Sequence, residues 1–172
     1  MQPSDRSDPV GTPRRVPTAK DFPARGPFSL AAPGPRFGAR AFDLGIVVLP
    51  ALLTIALMAR TIDGQLQLDV PWWLLPVTLG VGVLYEFLFV SIAQRTPGKM
   101  LFGLKVVRYV DGGRPRAMQS GLRALLPWSI LALPIGPFAF AGVLVVYGTG
   151  IGGELHRGWP DQAGGTLIIS TR

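Results

Sequence analysis

Apolar residues in this chain gather into three long stretches separated by short polar ones, and the lengths of those stretches decide the class. A bilayer core of about 30 Å takes about 20 helical residues to cross. Leu44 to Ala59 is 16 residues without a charge, and it reaches spanning length as a helix that starts near Arg36 and takes in Asp43. Val70 to Gln94 is 25 residues with one charge, Glu86, and opens Pro71-Trp72-Trp73. Proline in a first helical turn followed by two indoles fits a helix entering from the aqueous side. Ala124 to Gly153 is 30 residues with no charge at all. As one straight helix it would run about 45 Å, too long for the core. Its middle, Leu133-Pro134-Ile135-Gly136-Pro137, is a break signal, so the pattern predicts two shorter helices that enter and return.

Two short segments follow a different period. Leu104 to Val110 is β-rich and runs into the turn Asp111-Gly112-Gly113, and Gly165 to Ser170 is equally strand-like. An open strand edge cannot face lipid, so the two are expected to pair with each other on one side of the membrane. The first 35 residues hold eight of the 17 prolines among Ser, Asp, Arg and Gly, and they bury too little to offset their ordering entropy. The expected architecture is therefore an all-α polytopic membrane protein. It has two full transmembrane helices plus a Pro/Gly-broken helical hairpin, with a short cytoplasmic β pairing. Residues 1–33 form a disordered Pro-rich basic cytoplasmic tail, and residues 34–172 form the transmembrane domain.

Composition sharpens this picture. The chain is 48% hydrophobic and only 16% charged, drier than a soluble domain. Its net charge of +7 is an orientation signal, because residues 1–43 carry seven Lys or Arg and residues 95–123 carry seven more, whereas the loop between the first two helices has Arg60 against Asp63 and Asp69. Those two basic segments are expected to be cytoplasmic, and the broken third stretch returns the C-terminus to the same side. The chain reads as a multi-pass protein of the cell (plasma) membrane, its basic residues facing anionic headgroups, with no nucleic-acid partner because the charges are divided by spans. With no cysteine and one histidine, His156, thiolate sites and multi-histidine metal sites are excluded. No nucleophile, base and orienter occur together, so neither an enzyme nor a cofactor is expected.

The remaining chemistry lies in charged residues at apolar positions. Arg36 and Asp43 are seven residues apart, nearly two turns, and share a helix face with Arg40 close to both, so Arg40 is the nearest partner in sequence for Asp43. Pro50 lies on the same face and frees the carbonyl of Ile46. Glu86 has no Lys or Arg in its own stretch until Arg95, and is expected to face the bundle interior or snorkel toward the cytoplasm. Gly80, Gly82 and Gly142 fit close helix packing. Thr96-Pro97-Gly98-Lys99 lacks the glycine spacing of a phosphate loop and reads as a helix exit followed by basic residues, Lys99 among them, that face headgroups. His156 beside Arg157 reads as an interfacial side chain.

Taken in order, Arg36-x-x-Ala39-x-x-x-Asp43, then Thr96-Pro97-Gly98-Lys99 with Gly103-Leu104-x-Val106-Val107, then Asp161 with Ala163, Gly164 and Thr166, resemble the RDD family of bacterial membrane proteins, named for one arginine and two aspartates. The resemblance runs from about residue 33 to 170, and its ending carries one glycine more than the family's usual spacing. It implies that Arg36, Asp43 and Asp161 are the name-giving residues, with transport of an unidentified solute or ion as the role usually suggested for the family. Two readings of this polar cluster stand: an ion-binding site near the cytoplasmic face, or a structural staple in which Arg36, Arg40, Arg123 or Arg157 neutralise the acids. Two functions stand beside them. One is a small solute or ion transport component, acting as a homo-oligomer or with a membrane-protein partner. The other is a non-enzymatic accessory or scaffold subunit of a larger membrane complex.

Overall fold

A computed structural model describes residues 17–133 and 138–172. Among the described residues, ten α-helices and β-strands follow in order: α1 (Pro33–Met58), β1 (Arg60–Ile62), β2 (Gln65–Gln67), α2 (Leu74–Ala93), α3 (Pro97–Leu101), β3 (Leu104–Arg108), α4 (Ala117–Leu131), α5 (Phe138–Gly148), α6 (Trp159–Ala163) and β4 (Thr166–Ser170). Two helices, α1 and α2, are long and apolar enough to cross a membrane. Only 11% and 17% of their most apolar windows are buried inside the fold. A core helix of a soluble domain would be mostly covered. Here Leu49, Leu53, Leu57, Leu84 and Ile92 stand exposed, an apolar surface that water does not tolerate at this extent.

Local chemistry sets the element ends. Pro33 and Pro35 open α1, where a missing N–H costs nothing. Pro71 does not take the same place in α2: that helix begins at Leu74, with the N–H of Leu74 donating to the Pro71 carbonyl at 3.0 Å. Trp72 and Trp73 therefore lie in the approach to the helix, Trp72 largely exposed. Between α1 and α2 the chain forms a hairpin, β1 against β2, around Asp63-Gly64. Both turn residues have positive φ, 52° and 75°, the signature of a type I′ turn. The third apolar stretch divides as expected into two helices, although α4 begins at Ala117 and carries Arg123 inside it. The break itself, residues 134–137, lies outside the described residues.

The expected strand pairing is present. β3 and β4 run antiparallel, with Leu104 opposite Ser170 and Arg108 opposite Thr166. The extra glycine, Gly165, takes φ +57° immediately ahead of β4. Leu104, Val106 and Ile168 pack on Ala39 of α1 and Val90 of α2, while Val107, Leu167 and Ile169 face Phe22, Leu30 and Leu155. Both outer edges of the pair are occupied. Gln94, the left-handed cap of α2, accepts the Val106 N–H at 2.8 Å, and Ser29 accepts from Ser170 at 2.8 Å. Of the segment expected as a tail, residues 1–16 lie outside the described residues, Ala19–Asp21 form a 3-10 turn, and Phe28 to Ala31 run along β4.

Candidate functional site: a buried charged centre

Three helices present polar residues on their inward faces. The buried positions of α1 are Ala39, Arg40, Asp43 and Val47, and those of α2 beyond its first residue are Gly82, Glu86 and Val90. On α4 they are Ser120, Arg123, Ala124, Pro127 and Trp128. Each set follows the three-to-four spacing that puts side chains on one face. Close approach of α2 and α4 depends on Gly82, where an added Cβ would lie 2.4 Å from the Trp128 ring. Gly142 makes a similar allowance for Ile130, whereas Gly80 faces open space.

Glu86 lies at the middle of the centre, 1% exposed. Arg40 Nη1 donates to its Oε2 at 2.6 Å, while Lys99 Nζ and Arg123 Nε stand 3.8 Å and 3.7 Å from Oε1. The cations missing from its own stretch of sequence arrive from α1, α3 and α4. Glu86 therefore neither snorkels nor stands alone.

Asp43 is held differently from the sequence expectation. Its ion pair is with Lys99, at 3.8 Å, because the Arg40 guanidinium turns to Glu86 and rests beside the rings of Trp128 and Tyr147 at 5.3 and 4.9 Å. The Asp43 carboxylate accepts three hydrogen bonds, from the Tyr85 hydroxyl at 2.8 Å, the Gly98 N–H at 2.8 Å and the Thr96 hydroxyl. This explains Thr96-Pro97-Gly98-Lys99. Thr96 caps α3 and Pro97 opens it. Gly98 is required by proximity, since a Cβ there would lie 2.2 Å from the Ala39 carbonyl oxygen and 2.8 Å from Asp43 Oδ1. Lys99 points inward and is buried rather than facing headgroups. Burial, the largest effect, and the nearby Arg123 guanidinium push its ammonium down to about 8, although Glu86 and Asp43 pull the other way.

Asp161, on the short helix α6, receives Arg123 Nη1 on Oδ1 and Arg36 Nη1 on Oδ2, the latter at 3.1 Å. Arg123 also reaches the Thr166 hydroxyl at 2.9 Å, and Arg36 reaches the carbonyls of His156 and Ile168. Arg36 and Asp161 are thus direct partners, and Asp43 joins them through Lys99, Glu86 and Arg123. His156 contributes its backbone carbonyl, from a residue at φ +50°. At the rim, half-buried Arg157 lies over the Tyr109 ring and donates to the carbonyls of Thr166 and Asp161. Burial holds its guanidinium below the usual arginine range.

A cavity of about 40 Å³ opens beside these groups, lined by Arg36, Arg40, Lys99, Arg123, Tyr147 and Asp161 among others. That is room for more than one water. Among the described residues no three His, Cys, Asp or Glu gather to hold a metal. Tyr85, Thr96, Gly98, Trp128 and Tyr147 are the parts of the centre that sequence reasoning did not single out for it.

Residues 30–165 match the RDD family. No curated protein and no solved structure matches the chain.

Proposed function

The chain belongs to the RDD family, and from that premise we propose that it is a multi-pass cell-membrane protein acting as a small solute or ion transport component, with the charged centre as the place where the transported species is handled. The observation that carries this reading is the placement of the centre. Seven ionisable side chains converge beside a cavity, between helices whose outer faces are apolar. Charges at such positions are costly and belong to ion or solute paths in membrane proteins.

The three carboxylates are already paired with cations, so in this reading they hold the basic groups in place and the unsatisfied capacity of the centre is cationic. The β3–β4 pair and the basic segments 1–43 and 95–123 support a centre near the cytoplasmic face, with the β1–β2 hairpin on the opposite side. The test is reconstitution of the purified chain alone into liposomes. Ion or solute movement above that of empty vesicles is the expected result. An inert protein that instead co-purifies from native membrane with a stable larger partner would replace this reading with the accessory-subunit one.

A further inference from the structure

Charge in the centre does not balance. Arg36, Arg40, Lys99 and Arg123 face Asp43, Glu86 and Asp161, four cations against three acids. The cavity wall is more one-sided, because it includes all four cations and, of the acids, Asp161 only. Donors are also left over. Arg40 Nε and Nη2, Arg36 Nε and the Tyr147 hydroxyl are buried and make no hydrogen bond within the described residues. Arg40 itself is 9% exposed and Arg123 2%. Buried N–H groups of guanidinium are rarely left unpaired, and an uncompensated buried positive charge is costly.

We propose that this cavity binds one small monovalent inorganic anion, of the size of chloride or nitrate, held by Arg40, Arg36, Lys99 and the Tyr147 hydroxyl. The proposal rests on reading the centre as an ion-handling site and names its ligand class. One negative charge brings the seven-residue centre to neutrality. A cavity of about 40 Å³ admits such an ion. Polyatomic anions with planar oxygens suit guanidinium donors equally well.

Lys99 makes occupancy sensitive to pH. Its ammonium faces Glu86 of α2, Asp43 and Arg40 of α1, Arg123 of α4 and the Thr96 hydroxyl, with Tyr147 of α5, Asp161 of α6, His156 and Arg36 elsewhere on the cavity wall. With Lys99 titrating near 8, its charged fraction falls about tenfold between pH 7 and pH 9, and anion affinity falls with it by about tenfold.

The experiment uses lipid-depleted protein in detergent, with sodium gluconate exchanged for sodium chloride or sodium nitrate at constant ionic strength, read as unfolding temperature. The expected result is a saturable rise of about 5 °C at pH 7, needing about tenfold more anion at pH 9, and weakened in both Arg40→Gln and Tyr147→Phe. Identical unfolding temperatures in gluconate, chloride and nitrate would overturn the proposal, as would a response retained unchanged in both variants. The wild-type measurement stands even where Arg40→Gln fails to fold. Anion binding without any flux in liposomes keeps this site and removes the transport reading, whereas cation flux from a protein indifferent to anions does the reverse.

Discussion

Glu86→Gln isolates the electrostatic role of the centre, because it keeps the shape of the side chain and removes only its charge. The carboxylate serves three cations at 2.6, 3.7 and 3.8 Å, and it is 1% exposed. Without it, Arg40, Lys99, Arg123 and Arg36 face Asp43 and Asp161 alone, and the excess positive charge doubles. Breaking a buried pair by neutralising one partner costs about 3–5 kcal/mol. For a chain of this length each kcal/mol moves the unfolding temperature by about 2–4 °C, so a fall on the order of 10 °C is expected. The comparison is Asp111→Asn, which neutralises the acid of the exposed Arg108–Asp111 pair at 2.7 Å. That surface substitution is expected to cost no more than about 1 kcal/mol. Detergent-solubilised protein heated and then resolved by size-exclusion chromatography reads both. A Glu86→Gln midpoint that falls no further than that of Asp111→Asn would refute the reasoning.

Three further outcomes follow from the same geometry. Gly98→Ala pushes a methyl against the Ala39 carbonyl oxygen, which is backbone and gives way only by separating α1 from α3; thermal unfolding should show a loss of about 1–3 kcal/mol. Thr96→Val removes the hydroxyl donated to Asp43 and should cost about 1.5–3 kcal/mol, while Thr54→Val, whose hydroxyl bonds the Pro50 carbonyl within its own exposed helix turn, should leave the midpoint nearly unchanged. Lys99 binds its proton less tightly in the fold, about 8 against 10.5 when unfolded. The unfolded chain therefore holds more protons across that window, and stability in gluconate should rise as pH climbs through it. Lys99→Met should flatten the rise in denaturant titrations.

The long helices α1, α2, α4 and α5 are legible in the sequence because their signal is length and dryness, and those survive any arrangement, whereas the five-residue helices α3 and α6 carry no such signal. The β3–β4 pair is legible for a related reason, since strand edges near lipid leave one sensible partner. The β1–β2 hairpin carries its own mark in Asp63-Gly64, which the charge reading of that loop passed over. Partner choice inside the centre is another matter. Arg40 and Asp43 share one face of α1, yet Arg40 pairs with Glu86, 46 residues away, because the tertiary position of Trp128 and Tyr147 fixes the guanidinium. Helical spacing says which residues look inward and nothing about which inward residue meets which. The sequence pattern puts Lys99 at a helix exit, where basic residues usually face headgroups. Its burial follows from Gly98, whose missing side chain lets α3 lie directly on α1.

The central claim, that the buried charges handle an ion and do more than hold the helices together, is tested most directly by flux in liposomes reconstituted with equal amounts of folded wild-type and Asp43→Asn protein. Asp43 pairs with Lys99 and anchors α3 through Gly98 and Thr96. The account predicts that the wild-type protein moves ions and that Asp43→Asn, inserted at normal abundance, loses at least about tenfold of that flux, equivalent to roughly 1.4 kcal/mol. A variant that inserts normally and transports at the wild-type rate, or a wild-type protein that moves nothing, would contradict it.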